Sequence, residues 1–213
     1  AFGAAPGAAT PNSIIISVGA LRAASSFTLN ASRGIGVGGT TGDSGVLTVD
    51  AGKTLSYGGV IADHGAPGGL VKNGFGTLSL SGAHTYTGAT SNRVGTLALD
   101  FTQSGSPVSN IISPGSDLTL GGENAGFGAE NFAELSMQGK NGAVNSQSFH
   151  STHLTFAGSV VQAGSGTGGT ANLNLGSLSH DFGGTLLFLS PDVSCGNGHI
   201  TTTSPNVSGI LGG

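Results

Sequence analysis

The sequence predicts an all-β chain wound as a β-solenoid, each coil stacked on the one before. Three observations carry this prediction. Glycine supplies 41 of 213 residues, about 19%, more than twice ordinary usage. Short runs alternate apolar and small polar residues with a period of two, the signature of strands with one buried face. These runs recur about every 20 residues, and a period of that length is a repeat signature.

The composition narrows the alternatives. Charged residues make up 8% of the chain and tryptophan is absent, but the hydrophobic fraction is 37%, too high for intrinsic disorder. Collagen is excluded because no Gly-X-Y period holds, and helical bundles are disfavoured by glycine in nearly every block of ten. Six bases stand singly against ten acids, so no basic patch supports nucleic-acid binding. The longest apolar run, Ile14 to Ile16, is far too short to span a membrane. Cys195 is the single cysteine and reads as a small, partly buried side chain, with an intermolecular bridge or reactive thiol as alternatives.

Taken in order, the strands are SFTLN around Leu29, VLTVD around Leu47, TLSY around Leu55, TLSLS around Leu78 and TLALD around Leu97. The series continues with DLTLG at Leu118, ELSMQ at Leu135, HLTFA at Leu154, NLNLG at Leu173 and TLLFL at Leu186. Weaker strands are expected between them at Gly69-Leu70-Val71-Lys72 and Thr85-Tyr86-Thr87. With one coil per interval of about 20 residues and a step of about 4.8 Å, the chain makes roughly ten coils and a rod on the order of 45 Å long. Leucines then form an interior ladder, Thr and Ser point outward, and glycines make the corners. A β-sandwich would instead place strands at about half that interval, joined as hairpins.

One continuous unit is expected over residues 1–213. Without an initiator Met at one end, and with the pattern-like SGILGG at the other, it reads as an internal or processed piece of a longer protein. The stretch GGENAGFGAENFAELSM breaks the rhythm and holds Glu123, Glu130 and Glu134. Residues 123–132 read as a loop inserted at a corner, with Glu123, Phe127, Glu130 and Phe132 as candidate contact residues or as solvated decoration.

Residues 58–100 resemble the autotransporter-associated β-strand repeat, also called the passenger-associated transport repeat. The residues that carry the resemblance are Gly68-Gly69-Leu70, Lys72, Gly74, Gly76-Thr77-Leu78, Leu80-Ser81-Gly82, Thr85-Tyr86-Thr87-Gly88 and Gly95-Thr96-Leu97. His84 stands where the family usually has Asn, and Asn92-Arg93 where it has Val and a variable residue. The flanks are similar to the connecting coils of long multi-repeat surface proteins of Verrucomicrobia and related bacteria. The resemblance implies a single-stranded right-handed parallel β-helix, exported to the outer surface of a Gram-negative-type bacterium or beyond. The implied role is adhesin, spacer or matrix fibre, with no catalytic residues and no cofactor.

Sites for chemistry are sparse. The aspartates are scattered and sit beside glycines or at strand ends, as turn residues do. Asp63-His64 and His180-Asp181 invite a Ser/His/Asp reading, but no GxSxG elbow accompanies them. His150 with His153, and Cys195 with His199, offer only two ligands each, short of the three or four that zinc takes. Arg33–Gly39 lacks the Lys-Ser/Thr of a phosphate-binding loop. The expectation is a structural, non-enzymatic fibre or stalk whose open ends associate end to end. A weak binder of extracellular polysaccharide is the alternative, and a polysaccharide lyase or hydrolase ranks last.

Overall fold

The computed structural model describes residues 3–122, 132–189, 197–207 and 210–211. Among these no helix occurs, and the strands follow one another around three faces. The first three coils run β1 (Thr10–Ile16), β2 (Ala20–Ala23), β3 (Phe27–Leu29); β4 (Arg33–Gly39), β5 (Gly45–Val49), β6 (Thr54–Tyr57); and β7 (Ile61–Gly65), β8 (Leu70–Asn73), β9 (Thr77–Leu80). Coils four and five keep two strands each, β10 (Thr90–Asn92) with β11 (Gly95–Asp100), and β12 (Asp117–Leu120) with β13 (Ala133–Gly139). Three strands return in coils six and seven: β14 (Val144–Ser148), β15 (Ser151–Leu154), β16 (Ala157–Ser165), then β17 (Thr170–Asn174), β18 (Ser177–His180), β19 (Gly184–Leu189). After these come β20 (Asn197–Thr201) and an antiparallel pair, β21 (Asn206–Val207) with β22 (Ile210–Leu211).

Face two is the seven-stranded sheet β18-β15-β12-β10-β8-β5-β2, and face three is the seven-stranded sheet β19-β16-β13-β11-β9-β6-β3. All their pairings are parallel, so the chain is a β-solenoid of about seven coils. With adjacent strands about 4.8 Å apart, the stack is roughly 30 Å long.

The expected ten coils are therefore too many. All ten strong sequence segments are strands, but they do not share a face. Leu55, Leu78 and Leu97 stack on face three, whereas Leu118 and Leu154 belong to face two and Leu173 to β17 on face one. The sequence interval measures the step between strong strands, and it matches the length of a full coil between Leu78 and Leu97. Elsewhere a coil is longer, as from Phe27 to Leu55 and, at 38 residues, from Thr96 to Glu134.

Register places like on like. Phe27, Leu55, Leu78, Leu97, Leu135, Val161 and Phe188 form one inward column of face three, and Leu29, Tyr57, Leu80, Leu99, Met137 and Ala163 form the next. Their central members are fully buried. Each coil contributes too little apolar surface to hold itself together, and the column supplies the missing neighbours above and below.

Face one is broken in the middle. Strands β1-β4-β7 serve the first three coils and β14-β17-β20 the last, with residues 84–87 and 109–112 bridging them as irregular chain. The expected strand at Thr85-Tyr86-Thr87 is absent, because Thr85 and Tyr86 both donate to the Ile61 carbonyl (2.8 and 3.2 Å) while the Ile61 N–H donates to His84 Nδ1 (3.1 Å). Amide side chains repair the next gap. Gln147 accepts from Ile112 N (3.1 Å) and donates to Ile112 O (2.9 Å), and Asn110 Oδ1 accepts from Ser148 N (3.0 Å).

Leu97, fully buried in mid-column, is expected to cost about 2–5 kcal/mol when changed to Ala. Ser79→Ala, on the outward side of the adjacent β9, should stay within about 0.5 kcal/mol. Urea unfolding midpoints at constant m-value check both.

Candidate functional site

Residues 68–97 carry the repeat motif, and the structure uses them for two ends: closing the corners between faces, and filling the interior. Leu70, Leu78, Leu80, Leu97 and Tyr86 are buried, whereas Thr77 lies on the outward side of β9. Gly74 has φ +78°, a left-handed conformation that L side chains rarely adopt. Gly88 is needed for closeness: a Cβ there would lie 2.6 Å from the Gly68 carbonyl group. Gly69, Gly76, Gly82 and Gly95 similarly abut backbone of neighbouring coils.

Lys72 is the least expected member of the core. It is fully buried in the column Leu47, Lys72, Asn92, Leu120 of face two, and its Nζ donates to the carbonyls of Gly74 and Val94. A side chain at Gly95 would collide with that Nζ. Asn92, in register above it, donates from Nδ2 to Gly95 O (2.9 Å) and Glu134 O (2.8 Å). Together the two side chains satisfy corner carbonyls of coils three, four and five. Burial pulls the Lys72 ammonium down to about 7.

His84 stacks at 6.2 Å on Tyr57, with planes 6° apart, and lies 6.4 Å from Tyr86. Burial lowers the imidazole to about 3 and pushes the Tyr57 phenol up to about 12. A buried hydroxyl chain joins Tyr86 Oη to Thr90 (2.6 Å), Thr90 to Ser116 (3.1 Å) and Ser116 to Gly88 O (3.0 Å).

The aspartates are occupied with holding turns. Asp63 Oδ1 accepts from Gly68 N (2.9 Å) and Thr87 N (3.1 Å), and Oδ2 from Thr87 Oγ1 (2.7 Å). Burial works against this charge, but the hydrogen bonds prevail and hold the carboxyl below its ordinary range. Asp50 forms a two-toothed pair with Arg22 on the previous coil (2.8 and 2.9 Å). The adjacent Asp–His pairs of the sequence are not the ones that pair across coils. His150 meets Asp117 (2.7 Å), and His153 lies between Ser179 (2.9 Å) and Asp181 (3.3 Å). His150 and His153 thus face opposite neighbours, and among the described residues no group of three His, Cys, Asp or Glu could hold a metal. The Ser179, His153 and Asp181 row stands on open surface.

Face three carries a continuous polar rail. Thr96 Oγ1 donates to Glu134 Oε2 (2.8 Å), and Gln162 Nε2 donates to Glu134 Oε1 and to Ser136 Oγ (3.2 Å). Beside it lies a groove of about 310 Å³ whose lining includes Ser136, Gln138, Asn141, Gln162 and Ser165. Glu134 belongs to β13, within the ELSMQ strand that follows the expected loop of residues 123–132. Phe132 stands exposed just before β13, whereas Glu123, Phe127, Glu130 and Cys195 lie outside the described residues. The rail is invisible in the linear sequence because its members come from three coils, 38 and 28 residues apart; only the pairing register brings them together.

The two buried bases make stability depend on pH in opposite ranges from the tyrosines. Folded Lys72 holds its proton only below about 7 against 10.5 unfolded, so the unfolded chain binds the extra proton between those values and stability rises across them. His84, at about 3 against 6.5, makes stability fall as pH drops from about 6.5. Above 10 the unfolded tyrosine ionises before Tyr57 and stability falls again. Urea unfolding at pH 5, 7 and 9 should show a rise at each step; Lys72→Met should flatten the upper step and His84→Asn the lower.

No family model matches the chain, and no solved structure does. A curated protein does: the adhesin BmaC autotransporter of Brucella suis biovar 1 (strain 1330) is 30% identical over 124 residues. The match covers 58% of this chain and 3% of that protein, so the chain spans a small fraction of the relative's length.

Proposed function

We propose that this chain is a stretch of the surface-exposed passenger of an autotransporter-type adhesin, a stalk that holds its outward faces away from the cell. The observation that carries the reading is the 30% identity to an adhesin autotransporter in a chain whose inward columns run through about seven parallel coils. Such a body is rigid without disulfides or a thick core, because each coil is clamped by the next. The winding is right-handed, the sense that crossovers between parallel strands take. The role is mechanical and adhesive, with no cofactor and no enzymatic step.

End-to-end association of copies is a finer part of the same proposal. Its support is β19, the end strand of face three, where Phe188 continues the inward column from Val161 yet remains 41% exposed. Immunogold electron microscopy of intact producing cells tests both levels. Antibody against this segment should label unpermeabilised cells on projecting, continuous fibres. Label that needs permeabilisation would refute the passenger reading, and dispersed single particles at the surface would refute the stacking.

A further inference from the structure

Where face one loses its strand, a base is enclosed without a counter-charge. His84 is buried, its Nδ1 accepts from the Ile61 N–H (3.1 Å), and its Nε2 has no hydrogen-bond partner among the described residues. Nδ1 as an acceptor puts the ring proton on Nε2, so the imidazole is neutral. A second proton has to go on Nδ1, where it would set two donors against each other at the Ile61 amide. The groups packed around the ring do not compensate. Tyr57 from β6 stacks on it with Oη aimed at the carbonyls of Arg33 (2.6 Å) and Val60 (3.0 Å), and Tyr86 from its own segment tilts against it with Oη tied to Thr90. The guanidinium of Arg33 on β4 reaches the Gly3 and Ala4 carbonyls instead, and Asp63 on β7 turns its carboxylate to Gly68 and Thr87. Residues 109–112, whose Ile111 carbonyl accepts from the His84 N–H (2.9 Å), carry no titratable side chain.

The same segment sits outside the ladders. Faces two and three are continuous seven-stranded sheets, whereas residues 84–87 meet β7 through the bonds of Thr85 and Tyr86 to Ile61 O, of Ile61 N to the imidazole and of Thr87 to Asp63. Protonation removes the bond to the imidazole and leaves both sheets untouched. Segments without a strand ladder open at lower free energy than the sheets beside them.

We propose that residues 82–88 form an acid-triggered joint: a proton on His84 releases them from β7 and opens face one between coils three and five, while faces two and three stay wound. The inference does not rest on the passenger reading, and cell labelling neither supports nor removes it. An exposed imidazole takes its proton near 6.5 and the enclosed one only near 3, so the open fraction grows roughly twentyfold from pH 7 to pH 5. Asp63, held below its ordinary range, adds little above pH 5. Hydrogen exchange of the purified chain at the two pH values, read by mass spectrometry, corrected for the intrinsic pH dependence and repeated in low urea, tests it. The peptide covering 83–88 should lose protection by roughly twentyfold with a shallow urea dependence, whereas peptides from β9 and β11 should keep a steep one. His84→Asn, which installs the residue usual at this place in the repeat that the segment resembles, should abolish the loss. The proposal is overturned if 83–88 exchanges with the same urea dependence as β9 and β11, which would make the acid response global. It is overturned too if protection is equal at the two pH values, or if His84→Asn keeps the loss. The first two results come from the natural sequence, so a variant that fails to fold leaves the test intact.

Discussion

A coil of a solenoid is one strand thick, and everything in this molecule depends on the register with which one coil lands on the next. Parallel pairing at about 4.8 Å brings each inward side chain directly over its equivalent, so the core consists of columns that cross many coils. Leu55, Leu78, Leu97 and Leu135 are neighbours for this reason alone. A slip of one residue would turn every one of them outward and bring Thr and Ser in. Coil length is free as long as the register is kept, which is why the short coil from Leu78 to Leu97 and the long one from Leu97 to Leu135 coexist in one stack.

The same constraint explains the polar groups in the interior. Corners leave carbonyls that no strand can satisfy, and an unmet buried acceptor costs on the order of 1–3 kcal/mol. Lys72 and Asn92 answer this at the corner of coils three to five, and Gln147 does so where face one loses its strand. Lysine suits the task through its reach; the cost is a desolvated amine whose proton is held weakly. His84 is less well provided, since its Nε2 is buried without a hydrogen-bond partner among the described residues. The outward rail is a product of the register as well, assembled from residues far apart in the chain.

The strands were legible in the sequence because a half-buried strand writes its two faces as alternation, and each of the ten leucine-centred runs is a strand. What alternation does not encode is which face a strand joins. Leu118 and Leu135 have the same local pattern, yet one packs on face two and the other on face three, and counting both as coils inflated the number. The weak Thr85-Tyr86-Thr87 segment failed because its backbone competes with the His84 imidazole for Ile61. In the candidate site, the repeat glycines were readable from their motif. The Thr96, Glu134 and Gln162 rail was not, since long-range register decides it.

Cross-linking through engineered cysteines probes the stacking register directly. Thr96 and Glu134 are paired neighbours on successive coils of face three, although 38 residues separate them. Thr119, nearer in sequence, sits on face two. In a Cys195→Ser background, Thr96→Cys with Glu134→Cys should oxidise to a disulfide, because paired strands lie about 4.8 Å apart, inside the reach of that bond. Thr96→Cys with Thr119→Cys should remain reduced under the same conditions, as read by thiol titration and intact mass. The opposite pattern, a 96–119 bond with none at 96–134, would contradict the seven-coil register and with it the core and the rail built on it.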